Sequence, residues 1–217
     1  MMRRVVPVVL MVAVAGWVDA VGLLYFLGHI GIFTAFMSGN LTRVVTSFAA
    51  GEGIHGLLYA SVIACFAAGV LVGRMLNDGR RAREASALFV EALLLAAAAA
   101  TTHTRNGEAF VLMLMAASMG CNNVAMRAAR GWAPRTFVTG TLVSLVTGLA
   151  DALAGRAAWS ELGAPAVTLA ALMGGATGGV LLATVEQLDV VLLVPAVTVA
   201  LIALALATRL IPTHESG

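Results

Sequence analysis

Six stretches of mostly apolar residues, each about as long as a bilayer is thick, decide what this chain can become: about 7–28, 56–76, 85–103, 108–129, 165–185 and 189–209. Roughly 20 apolar residues in a helix cross the hydrocarbon core. A single water-facing core could not absorb this much apolar surface. Of the 217 residues, 60% are hydrophobic and 11% charged, whereas soluble domains run to roughly a half and a quarter. The expected class is an all-α membrane protein, with the lipid bilayer as its first partner. A net charge of +2 argues against nucleic acid as another. Arg3-Arg4 before an apolar run imitates a signal peptide, but the run continues through Gly16–Leu27, so a spanning helix is expected instead.

Two further stretches, about 31–50 and 135–154, are apolar but carry Gly and hydroxyl or amide residues in their middles: Met37-Ser38-Gly39-Asn40 and Val138-Thr139-Gly140-Thr141. A continuous helix gains nothing from such a centre. A segment that enters extended, turns, and starts a half-helix capped by Ser, Thr or Asn would use all of it. The two stretches also sit at matching places in the chain. Gly16-Trp17-Val18-Asp19-Ala20 aligns with Gly120-Cys121-Asn122-Asn123-Val124, the two Gly-centred motifs align with each other, and Gly69/Gly73 align with Gly174/Gly178. The offsets are 104, 101 and 105 residues, which divides the chain into repeats at 1–105 and 106–217.

Arginine placement then chooses a topology, because short cytoplasmic loops carry the positive excess. All 13 basic residues are Arg. If the Gly-centred stretches dip in and return, 11 Arg fall on one side and only Arg43 and Arg105 do not; if all eight stretches cross, the best arrangement gathers seven. The expectation is therefore six transmembrane helices plus two re-entrant half-helices, with both termini cytoplasmic. Three crossings per repeat invert the second repeat relative to the first, as in many secondary transporters.

Asp19, halfway along the first span, costs about 3 kcal/mol to insert unless it meets a cavity or partner. It reads either as a titrating or solute-binding group, or as an acid that holds a re-entrant backbone in place. Its counterpart Asn123, with Asn122 beside it, has the same shape without the charge. Half-helix ends at Ser38, Gly39 and Asn40 and at Thr139, Gly140 and Thr141 would converge and present free N–H groups to a small polar or anionic solute. Arg43, one turn further on, either joins them or reaches for the outer interface. Glu91 is read as near the cytoplasmic interface or buried; Asp151, Glu186 and Asp189 as solvated helix ends. Cys65 and Cys121 are read as packing residues. The four His are scattered and no nucleophile stands beside one, so neither an enzyme, a metal nor any other cofactor is expected. The glycine pairs suit internal helix packing or, as the sharper reading, a homodimer.

Gly16-Trp17-Val18-Asp19-Ala20 with Met37-Ser38-Gly39-Asn40, and Gly120-Cys121-Asn122-Asn123 with Thr139-Gly140-Thr141, resemble the YoaK-like family of small bacterial inner-membrane proteins. Ser38 stands where Thr is usual in that family and Asn122 where Gln is usual, so a hydroxyl and an amide are kept. The resemblance implies about six spans and a bacterial plasma membrane, and supplies no substrate. The expectation from the residues themselves is a small secondary transporter with a midplane site. A passive channel of the same fold and a non-transporting scaffold are the alternatives.

Overall fold

The computed structural model describes residues 2–25, 31–76, 81–104, 107–128 and 138–208, and these are helical almost throughout. The elements are α1 (Met2–Tyr25), α2 (Met37–Ala49), α3 (Gly53–Leu76), α4 (Arg81–Thr101), α5 (Gly107–Ala128), α6 (Val138–Leu153), a 3-10 turn (Trp159–Leu162), α7 (Gly163–Ala183) and α8 (Leu188–Ala207). Among the described residues, five helical segments are long and apolar enough to cross a membrane: Val6–Tyr25, Gly53–Leu76, Gly107–Met126, Trp159–Ala183 and Leu188–Ala207. The expected third span, about 85–103, is helical as α4. Its helix runs over Arg81–Thr101, of which Ala85–Thr101 is described as an apolar helix. α2, at 13 residues, is about 20 Å long and so too short to span, and α6 is described over the 16 residues Val138–Leu153.

Two helix pairs approach closely, and both do so through glycine. α1 lies on α7 with Gly16 against the Leu172 carbonyl and Gly175 against the Ala13 carbonyl. α3 lies on α5 with Gly120 against the Phe66 carbonyl and Gly69 against the Ala117 carbonyl. At all four positions a Cβ would collide with backbone, so no flexible neighbour could make room. The register differs by one from the sequence alignment. Gly175 and Gly179 face α1, whereas Gly174 has open space around it. α4 packs along α8 and α5.

The main core lies between α1, α4, α5 and α8, where Val12, Val18, Leu95, Met119, Leu192 and Val199 are buried. A smaller cluster of Ile32, Tyr59, Val62, Leu112 and Ala116 joins α3 and α5 to the segment before α2. Pro195 shapes one seam of the main core. Proline has no N–H to give the carbonyl four residues back, and that carbonyl, Val191 O, accepts from the Trp17 indole Nε1 of α1 at 3.0 Å. The outward faces stay apolar: Leu41, Val45 and Phe48 on α2, Leu142 and Val146 on α6, and Leu181 on α7 are exposed. Such faces suit lipid, which solvates apolar side chains as well as a core does.

Candidate functional site

Residues 31–36 form no helix, and α2 begins at Met37. The break therefore precedes the Ser38-Gly39-Asn40 motif, which occupies the first turn of α2. Nor does a side chain from the motif cap the helix: Phe36 stands at the cap position with no side-chain bond. The expected local capping is replaced by two longer reaches.

The first comes from Asp19, in the body of α1. Its Oδ1 accepts from the backbone N–H of Thr34 at 2.8 Å, from that of Ala35 at 2.8 Å, and from the Thr34 hydroxyl at 3.3 Å. A carboxylate is well suited to this, because one oxygen can accept several donors. Gly22, one turn beyond Asp19, lets the segment approach: a Cβ there would lie 2.7 Å from Thr34 Cγ2. The second reach comes from Asn40, fully buried, whose side chain bonds back to one residue twice. Asn40 Oδ1 accepts from Phe33 N–H at 3.1 Å and Asn40 Nδ2 donates to Phe33 O at 2.6 Å. Backbone groups that a helix would have satisfied are thus satisfied by Asp19 and Asn40.

Arg43 closes the other side of the break. Its Nη1 donates to the Tyr59 hydroxyl at 3.2 Å, and its guanidinium carbon stands 5.9 Å from the Phe33 ring centroid and 5.8 Å from that of Tyr59. Such separations are those of cation–π contacts. Gly31 makes room for the guanidinium, since a Cβ there would lie 2.9 Å from Arg43 Nη1. Its φ of +52° is also one that side-chain-bearing residues rarely adopt. Arg43 is thus part of the break.

The remaining expected site residues divide. Ser38 is exposed, and Gly39 is hemmed in by the rings of Phe36 and Phe33. Thr139 and Gly140, in the first turn of α6, are exposed, while Thr141 is buried. α2 and α6 do not touch among the described residues: α2 packs on α3, and α6 on α7 and the 3-10 turn. The two half-helix ends are therefore not brought into contact. Asn123 Nδ2 donates to Met119 O one turn back at 2.9 Å. Residues 129–137, which would stand opposite it in the second half, lie outside the described residues. Asn122 turns toward α4, where its Nδ2 donates to Glu91 Oε1 at 2.7 Å.

Sequence reasoning had not found Phe33, Thr34, Gly22 and Tyr59 as partners in this cluster. The first two act chiefly through backbone groups, which leave no mark in a sequence. Trp17 had a legible signal: a proline inside an apolar helix announces an orphan carbonyl in need of a donor.

At one end of the bundle a cavity of about 330 Å³ is lined by Tyr25, Thr102, His103, Glu108, Gln187 and Leu188. His103 Nε2 lies 3.4 Å from Asp189 Oδ2, and the Tyr25 hydroxyl donates to Glu186 O at 3.3 Å. Among the described residues no three His, Cys, Asp or Glu side chains come together as metal ligands would.

No curated protein and no solved structure matches the chain. A family described as "Protein of unknown function (DUF1275)" matches it over residues 8–205, nearly its whole length, in keeping with the resemblance drawn from the Trp17-Val18-Asp19 and Ser38-Gly39-Asn40 motifs. The chain, a helical membrane protein, belongs to this family.

Proposed function

We propose that this protein is a small secondary transporter that binds a small polar or anionic solute where the 31–36 break meets α1. The observation that carries this reading is the break itself, bonded to the body of a spanning helix through Asp19. Irregular backbone at membrane depth persists only where protein or a water-filled cavity satisfies it, and in transporters such breaks line the solute site. Here the uncapped first turn of α2 and the Arg43 guanidinium lie on the same short segment, and both favour negative charge.

The topology of this reading is six crossings and two returning half-helices. The end cavity supports it, because the C-terminal ends of α1, α4 and α7 meet the N-terminal ends of α5 and α8 there. α3 must leave that same end to reach α4, so the chain from α1 to α3 returns to the side it left; α5 to α7 does likewise at the opposite side. Both termini are then cytoplasmic, with the Arg-rich loops. The two-repeat reading draws support from the exchanged packing, in which α1 lies on α7 as α5 lies on α3, with glycine at equivalent points. Each half-helix also ends at a Gly of positive φ, Gly51 and Gly155. Alternating access would come from one repeat-derived bundle rocking on the other. In this scheme Asp19 holds the break rather than carrying a proton, since its Oδ1 already serves three donors.

That same use of Asp19 and Asn40 favours a second reading, a non-transporting membrane scaffold. A thermal-shift screen of purified protein in nanodiscs against chloride, phosphate, small carboxylates, amino acids and nucleobases separates the two. The transporter reading expects concentration-dependent stabilisation by one class, lost in Arg43→Gln while that variant still folds. No shift from any class, with Arg43→Gln merely less stable, supports the scaffold.

A further inference from the structure

One buried acid has no part in the site above. Glu91 stands at the middle of α4, fully buried, and its same-face neighbours Leu88 and Leu95 are buried with it. Across the α4–α5 seam is Asn122, also fully buried, flanked by Met119 and Met126. A single bond joins the pair, Asn122 Nδ2 to Glu91 Oε1 at 2.7 Å. The other two polar atoms, Glu91 Oε2 and Asn122 Oδ1, are both buried and both without a partner among the described residues. Two orphan acceptors in an apolar seam are expensive, and an ionised carboxylate with one bond is more so. Both orphans belong to the same bonded pair, and both are acceptors that a proton on the acid would serve.

We propose that Glu91 and Asn122 form a proton-binding site whose resting form is the neutral acid, with Glu91 Oε2–H donating to Asn122 Oδ1 to complete a cyclic acid–amide pair. Uptake forms one O–H bond and breaks none within the protein; the proton comes from water on the side to which the α4–α5 seam opens. Loss of that proton leaves a charge held by one amide bond, which favours a seam open to water over the closed one. Among the described residues no cation is bonded to either orphan oxygen. From α5 come Cys121, whose thiol donates to Gly69 O at 3.2 Å, and Glu108, in the first turn at the end cavity. From α8 comes an apolar run with one acid, Asp189, in the first turn beside His103. From α3, Tyr59 is engaged by Arg43, Cys65 is half-buried, and Arg74 stands in the last turn. On the transporter reading, which this coupling step rests on, the coupling ion is the proton and Glu91 carries it. The proton site itself is independent of any solute.

Infrared spectroscopy of the reconstituted full chain, carrying isotope-labelled glutamate, tests the site without a solute. The expected result is a carboxylic-acid C=O band at neutral pH, which ionised carboxylates lack. It is lost in Glu91→Gln and moved to higher frequency in Asn122→Leu, which keeps the acid but removes its partner. Glu91→Gln reproduces the cyclic pair with its own amide, so it is expected to melt at the wild-type temperature or above. The folded wild type holds a proton that an unfolded chain releases above the ordinary carboxyl range, so its melting temperature falls as pH rises and that of Glu91→Gln falls less. Absence of the acid band from wild-type protein at neutral pH, or its persistence in Glu91→Gln, overturns the proposal. A silent solute screen with the band present would remove the transporter and leave the proton site standing.

Discussion

Asp19 and Glu91 are both acids in the interior of one helix bundle, and their surroundings solve opposite problems. Asp19 faces backbone. Two N–H groups and a hydroxyl converge on one of its oxygens, so the carboxylate is the partner that an irregular segment requires. Glu91 faces a side chain that offers one donor and adds an acceptor of its own, so charge is the form its site serves least well. One acid holds backbone in place; the other is arranged around a proton. An intramembrane acid thus takes its role from the donors opposite it and not from its depth alone.

The largest effect expected from breaking this contrast is that of Asp19→Ala. It strips the Thr34 and Ala35 N–H groups of a charged acceptor, worth roughly 1.5–3 kcal/mol for each bond, and melting should fall by about 10 °C. Asp19→Asn keeps an acceptor oxygen, so thermal denaturation in nanodiscs should place it between Ala and wild type. Gly16→Leu comes next. Its Cβ would meet the Leu172 carbonyl, so α1 and α7 must separate, at a cost of about 3 kcal/mol; disulfide trapping across that seam would report the separation. Trp17→Phe keeps the ring but removes the bond to Val191 O, a loss of about 1 kcal/mol, checked by amide exchange in the turn before Pro195. Glu91→Gln should change stability least of the buried substitutions at neutral pH, within about 0.5 kcal/mol, because its amide can make both bonds. Ser38→Ala, at an exposed position, should change melting by no more than the error of the measurement.

Much of this was legible in the residues because lipid leaves few choices. Apolar runs of a given length become helices, and the first Gly-centred stretch begins with non-helical backbone at 31–36. Asp19 stood out because its cost demanded a partner, and its bonds run to the non-helical backbone at Thr34 and Ala35. The break was placed one turn too late because Asn40 looks like a local cap, whereas it bonds backward to Phe33 from inside the first turn of α2. The Glu91–Asn122 pair was not legible. The partners are 31 residues apart on two helices, and an apolar helix carries no periodicity to say which face meets which.

The account depends most on one claim, that Asp19 satisfies the backbone of a broken segment at membrane depth. Residue-resolved amide hydrogen exchange in nanodiscs measures this directly. The Thr34 and Ala35 amides should be protected in wild-type protein and exchange far faster in Asp19→Ala, with the Val199 amide of α8 unchanged in both. Equal protection of Thr34 and Ala35 with and without the Asp19 carboxylate would contradict the account.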